Sequence, residues 1–268
     1  MNIVLWIGNA PNQRALANKL AEAFNVVGIV TETRKTKRRI TIKKIIEVGF
    51  ERIFLSSING AWRGMQEFYE KNFPDYPNVS RLDVENINST NVLEFSYNLK
   101  PDLIVVSGTR LIRKKLLSID VSKGILNLHT GLSPYIKGGP NCTNWCIATN
   151  QFHLVGNTVM WIDEGIDSGN IVTSEFTDID WGNMSLFDIH IRVMEHAHSL
   201  YKKAINFILN GGQSNVPQSE IGDGKTFYTK EWSLIYKIKL IRNLKRIRKE
   251  YNPNDIAEKR KKIKTIKI

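Results

Sequence analysis

The chain has 268 residues, 42% of them hydrophobic, with a net charge of +12. That suits one large α/β domain carrying an appendage, and no run approaches the 18 or so apolar residues of a membrane span. The opening Met-Asn-Ile-Val-Leu-Trp-Ile-Gly has no basic stretch before its apolar one, so no secretory leader is expected. Only two cysteines, Cys142 and Cys146, occur, which suits a reducing compartment, and a cytoplasmic location is expected.

Residues 3–7 form a continuous apolar run of the kind a strand buried on both faces requires. Gly8-Asn9-Ala10-Pro11-Asn12 is turn chemistry able to start a helix. A helix over 14–24 follows, with Leu16, Leu20 and Phe24 on one face, then a strand over 26–30. So short a strand–helix–strand unit predicts parallel pairing through a right-handed crossover. Further on, residues 53–55 read as a short strand, 61–72 and 93–99 as helices, and 103–106 and 124–129 as strands. A helix over 140–149, strands over 158–162 and 171–175, and a long helix over 185–209 closed by Gly211-Gly212 complete the body. The predicted fold class is α/β: a Rossmann-like, mostly parallel twisted sheet with helices on both faces. A catalytic domain is expected over 1–210 and a basic, mainly helical extension over 211–268.

The charge is concentrated in that extension. From Lys225 onward there are 15 Lys and Arg against four acids, which accounts for +11 of the +12. Residues 232–251 place Leu234, Ile238, Ile241, Leu244 and Ile247 on one stripe with cations opposite, a basic amphipathic helix. Packing against the body or a second subunit is one reading of that stripe; contact with a membrane surface or RNA is the other. Residues 257–268 are expected to fray. A second basic run spans Arg34, Lys35 and 37–39, with Lys43 and Lys44 beyond.

The chemistry gathers between Asn127 and Ile171. Asn127, His129, Leu132, Pro134 and Gly138 form one pattern; Gly156, Thr158, Asp163, Gly165, Asp167, Gly169 and Ile171 form a second. Asn127 and His129 are two apart at a strand's carboxyl end, outside which open parallel α/β sheets bind ligands. An amide N–H and an imidazolium aimed at one point stabilise a developing oxyanion, and a neighbouring carboxylate favours the charged imidazole. Ser133 lies outside any Gly-x-Ser-x-Gly elbow, and the two cysteines have no adjacent base, so no enzyme nucleophile is evident. Nor is a metal site expected: His190, His196 and His198 do not share a helix face. Transfer through a tetrahedral intermediate, with the acceptor as nucleophile, fits best.

These two patterns resemble those of the formyltransferases that use 10-formyltetrahydrofolate, well over residues 101–171 and more loosely over the first strand–helix–strand. The group includes methionyl-tRNA, glycinamide ribonucleotide and sugar N-formyltransferases. The resemblance implies that Asn127 and His129 form the oxyanion-stabilising pair and that Asp167 orients and charges His129. Asp163 is the competing carboxylate; Asp167 better fits the Asp-x-Gly-x-Ile ending. The pterin is implied to lie between Arg110-Leu111-Ile112 and the segment holding Asp163 and Gly165, mostly against backbone groups. The co-substrate would then be 10-formyltetrahydrofolate, with no metal.

The expected acceptor is the amine of a nucleotide-linked amino sugar, such as a dTDP-4-amino-4,6-dideoxyhexose, serving surface-polysaccharide (lipopolysaccharide O-antigen) synthesis. Arg14 or the run 35–39 would meet the pyrophosphate, and Trp62, Trp161 or Tyr135 would stack on base or sugar. The alternatives are a methionyl-tRNA formyltransferase and, from another class, a non-catalytic RNA- or membrane-binding protein. Nucleic acid is not the expected partner, and the amphipathic tail leaves room for a homodimer.

Overall fold

A computed structural model describes residues 1–34, 49 and 55–268. The basic run 35–39, Lys43, Lys44 and residues 53–54 of the expected short strand lie outside them. β1 (Ile3–Gly8) is buried throughout. Next, α1 (Pro11–Ala21) opens on Pro11, whose missing N–H costs nothing in a first turn. β2 (Val26–Glu32) then returns parallel to β1, placing Ile29 opposite Leu5. α2 (Ser56–Asn72), β3 (Ser80–Val84), α3 (Thr90–Asn98), β4 (Leu103–Ser107), α4 (Lys114–Leu117) and β5 (Ile125–His129) follow. Beyond them come β6 (Ile136–Gly138), α5 (Cys142–Ala148), β7 (Gly156–Trp161), β8 (Ile171–Phe176) and α6 (Leu186–Leu209). The extension adds β9 (Lys225–Phe227), α7 (Leu234–Glu250) and α8 (Pro253–Lys261).

Among the described residues, seven strands form one sheet in the order β3-β2-β1-β4-β5-β7-β8. The first five pair in parallel; β7 is antiparallel to both β5 and β8. Alternation along β1 divides its side chains between two cores. Ile3, Leu5 and Ile7 pack with Leu16 and Leu20 of α1 and Leu200 and Tyr201 of α6. Val4 and Trp6 pack on the other face with Val92 of α3 and Leu116 of α4. α6 is held at its start by a capping box, Ser185 with Asp188. β3 has no apolar run to reveal it: Ser80, Arg81 and Asp83 are exposed at the sheet's edge.

The extension packs on the body. Trp145 of α5 stacks on Phe227 of β9 at 4.4 Å between ring centres, and meets Trp232 and Tyr236 edge-on at 4.8 and 4.7 Å. Leu240 and Leu244 of α7 are buried in the same cluster; such side chains each contribute about 1.5–3 kcal/mol when fully buried. The buried stripe is rotated from the expected one, taking in Leu240 and leaving Ile238 45% exposed. β9 also pairs in parallel with β6, setting Phe227 opposite Gly138.

Residues 257–268 are not frayed. α8 begins at Pro253 behind an Asn252 cap, and Arg260 reaches Asp178 at 2.9 Å and Thr177 O at 2.8 Å. Ser174 N of β8 then donates to Ile266 O at 2.8 Å, and Ile266 N to Ser174 Oγ at 3.1 Å. Basic residues here anchor to specific acceptors, which charge counting alone does not reveal.

Candidate active site

His129 ends β5 and Asn127 lies two residues earlier, so both project from the face that also carries Ile125. The register sets Asn127 between Val106 of β4 and Met160 of β7, and His129 beside Thr158. Thr158 Oγ1 accepts from Ser133 N at 2.9 Å and donates to Gly131 O at 2.8 Å, which fixes the turn leaving β5. A Cβ on Gly131 would stand 2.3 Å from His129 Nε2, so the imidazole occupies space that only glycine leaves.

Asp167 arrives by an indirect route. Because β7 runs antiparallel, its connection to β8 starts at the far end of β5, where Ile162 N donates to Ile125 O at 3.0 Å. The segment then folds back along β5, about 13 Å over four residues at the usual strand rise. There Asp167 Oδ2 lies 3.3 Å from His129 Nδ1 and accepts from Gly138 N at 3.0 Å. Asp167 holds φ +49°, a left-handed conformation few side-chain-bearing residues adopt. Asp163 points inward instead, accepting from Gly165 N at 3.0 Å and Ser168 Oγ at 2.7 Å. It shapes the loop and makes no contact with the imidazole.

The imidazole stands between two acceptors. Nδ1 faces the Asp167 carboxylate, and Nε2 faces Ile136 O at 3.3 Å; only a ring protonated on both nitrogens donates to each at once. The Nε2 contact is at the long end for a hydrogen bond. Cys142 Sγ sits 3.5 Å from the same nitrogen and donates to Gly138 O at 3.4 Å. Burial pushes the thiols of Cys142 and Cys146 well up, Cys142 being raised further by Cys146 and Asp167. Neither is a nucleophile at neutral pH. The Asn127 side chain makes no hydrogen bond among the described residues.

The Arg110-Leu111-Ile112 segment follows β4. Ile112 is buried in the core, Leu111 is 48% exposed, and the N–H groups of Leu111 and Ile112 find no acceptor among the described residues. Arg110 N donates to Glu32 Oε2 at 2.8 Å, while Glu32 Oε1 accepts from Ile87 N at 2.8 Å. Glu32 is 2% exposed and ties together the loops after β2, β3 and β4. It was missed from sequence, although a carboxylate ending a buried strand must have partners. Gln218 was missed too: its Nε2 donates to Asp167 O at 2.8 Å and Gly169 O at 2.9 Å.

Among the described residues, those expected to meet the sugar nucleotide are each engaged elsewhere or apart from the site, and the run 35–39 lies outside them. Arg14 is committed to Glu70 at 2.6 Å and Phe73 O at 2.7 Å. Trp161 donates to Ser214 O, and Tyr135 OH is bound to Lys264 N and Ile221 O. Trp62 is 42% exposed and edge-on to His190. A cleft of about 580 Å3 between α2, α6 and α7 contains none of the Asn127–His129–Asp167 set; chemistry, not volume, locates the site.

The chain is 31% identical over 143 residues to methionyl-tRNA formyltransferase of Alkaliphilus oremlandii, covering 53% of this chain and 45% of that one. It is 27% identical over 231 residues to the Clostridium beijerinckii enzyme of the same name, covering 86% and 65%. It thus spans about half to two thirds of the length of these relatives. Among solved structures, the N-formyltransferase of Helicobacter canadensis, in complex with folinic acid and dTDP-3-aminofucose, superposes with a TM-score of 0.57 at 17% identity. That match covers 94% of this chain and 83% of the other. Residues 2–205 match the formyl transferase family, and the chain belongs to it.

Proposed function

We propose that the protein transfers a formyl group from 10-formyltetrahydrofolate to the amine of a nucleotide-linked amino sugar. The observation that carries the reaction is the His129–Asp167 pair at 3.3 Å, with His129 on the strand that also carries Asn127, whose amide has no partner among the described residues. Three features fit a folate donor: the N–H groups of Leu111 and Ile112, without an acceptor among the described residues, the exposed Leu111, and Ile166, 47% exposed on the returning loop. Together they offer hydrogen bonds to a flat polar edge and apolar contact to its face.

When bound, the folate supplies an electrophilic formyl carbon on N10. Asn127 donates to the formyl oxygen as negative charge grows there. His129 turns its Nε2–H from the long contact with Ile136 O to the same oxygen, while Asp167 retains Nδ1 and so fixes the ring. Asp167 would take up the proton the attacking amine loses and return it to N10 as the bond between N10 and the formyl carbon breaks, leaving a formamide and tetrahydrofolate. Burial of the pair strengthens each of these interactions.

The sugar-nucleotide reading draws support from the Helicobacter canadensis protein, whose likeness runs through the extension. The curated relatives favour a second reading, methionyl-tRNA formylation. Incubation with 10-formyltetrahydrofolate and a panel of amino-sugar nucleotides, read by mass spectrometry, separates the two. A single added formyl group, lost in His129→Asn, is expected on one sugar. Formylation of methionyl-tRNA alone would overturn the acceptor, and salt-sensitive RNA retention with no transfer would overturn the reaction.

A further inference from the structure

The carboxylate that meets His129 belongs to a loop with little hold of its own. Asp167 lies in a folded-back segment, at φ +49°, and its nearest internal organiser, Asp163, secures Gly165 and Ser168 rather than Asp167 itself. What restrains Asp167 comes from outside the segment. Gln218, in a short 3-10 turn of the extension (Gln218–Glu220), donates both hydrogens of its amide to Asp167 O and Gly169 O, at 2.8 and 2.9 Å. Its Oε1 accepts from Lys137 Nζ at 3.3 Å. Lys137 precedes Gly138, whose N–H is the second partner of the Asp167 carboxylate.

A closed ring of contacts results, passing from Asp167 O through Gln218 to Lys137, and from Gly138 N back to Asp167 Oδ2. β9 secures the far side: Gly139 N donates to Phe227 O at 3.0 Å. A Cβ on Gly138, whose φ is +87°, would stand 2.1 Å from Phe227 O. Two separate parts of the extension therefore hold the two groups that fix Asp167.

We infer that Gln218 is a positioning residue for the reaction: it holds the Asp167 backbone in its left-handed conformation and so keeps the carboxylate on His129 Nδ1. This makes the extension part of the active site. The inference rests on the proposed role of Asp167 but has a readout independent of turnover. Removing a support rather than a reacting group should lower kcat and leave the KM for the acceptor unchanged.

The test compares wild type, Gln218→Met, Gln218→Ala and Asp167→Asn in the full chain. Gln218→Met keeps side-chain length and loses both donors, so it separates hydrogen bonding from packing; circular dichroism verifies folding. The first readout is the 15N shift of His129 Nδ1 at fixed pH, the second is formyl transfer. The expected result is that both Gln218 variants move the Nδ1 resonance toward its position in Asp167→Asn, with kcat lowered about tenfold or more. A resonance at the wild-type position in Gln218→Met, while Asp167→Asn moves it, would overturn the role of Gln218 and leave that of Asp167 intact. A resonance unmoved even by Asp167→Asn would overturn the pair and with it the inference. Should the resonances move as expected while Asp167→Asn turns over at the wild-type rate, the clamp holds and the catalytic reading of Asp167 fails.

Discussion

Asp167 Oδ2 lies 3.3 Å from His129 Nδ1 and 3.0 Å from Gly138 N, so one carboxylate oxygen serves the imidazole and the loop that borders it. Asp167→Asn preserves the shape and removes the charge. Losing one preorganised electrostatic partner typically costs roughly a hundred- to a thousand-fold in rate. We expect a kcat loss of that order with the melting temperature little changed. A variant that retains wild-type kcat would remove Asp167 from the mechanism.

Among the described residues the Asn127 amide has no partner, and Asn127→Ala should therefore cost activity without costing stability. An effect of about 10²-fold on kcat/KM is anticipated, the lower end of the range for an oxyanion donor. Urea unfolding checks the second half of the statement: a midpoint shifted along with the rate would mean that Asn127 is structural.

Both thiols are buried, and burial holds them well above the usual range. Thiolate is the form that reacts. Iodoacetamide at pH 7.5 should leave the native protein unlabelled and add two groups in denaturing urea, counted by intact mass. Rapid native labelling of Cys142 would show that the pocket around His129 opens.

Glu32 accepts from Ile87 N and Arg110 N. Truncation to alanine leaves the fully buried Ile87 N–H without its acceptor, at a cost of about 1–3 kcal/mol. It also releases the segment expected to border the folate. Glu32→Ala should both destabilise the fold and raise the KM for 10-formyltetrahydrofolate, and calorimetric titration with folinic acid should show weakened binding. Unaltered binding would detach this node from the donor site.

His190 and His198 of α6 are 3% and 1% exposed, and burial lowers their pKa values to about 4 and about 3. The folded state keeps both neutral, whereas the unfolded chain protonates them near the ordinary histidine value of roughly 6.5. Stability is therefore full above that value and is lost as pH falls toward the folded values. Each residue accounts for about 2 kcal/mol lost by pH 5. His198→Leu should flatten this dependence in urea titrations at pH 8 and pH 5. An equal acid loss in the variant would point to carboxylates instead.

Much of the frame was legible because its signals are local. The unbroken apolar run of β1 announces a doubly covered strand, and the two-residue spacing of Asn127 and His129 places them on one face whatever surrounds them. β3 was invisible because Ser-Arg-Leu-Asp-Val at an edge has no apolar run. Glu32 and Gln218 escaped for a different reason: their partners lie 78 and 51 residues away, and nothing in the neighbouring sequence encodes a hydrogen bond to a distant backbone. The path of Asp167 depends on β7 being antiparallel, which an apolar run does not disclose. The register of α7 needed the position of Trp145, since Leu240 and Ile238 are equally apolar.

The seating of Ile266 on β8 bears on how the protein behaves in crowded solution. An outermost strand with unsatisfied peptide groups is a template for adding foreign strands. Here the outer side of β8 is already occupied, by Val216 opposite Ile171 and by Ile266 opposite Ser174. The opposite border, β3, carries exposed Arg81 and Asp83 paired with each other. One border is covered by Val216 and Ile266 and the other carries charge, so sheet-to-sheet aggregation is discouraged on both sides. Removing residues 262–268 would free the peptide groups of Ser174 on that side, and light scattering should then show more self-association than in the protein that retains them.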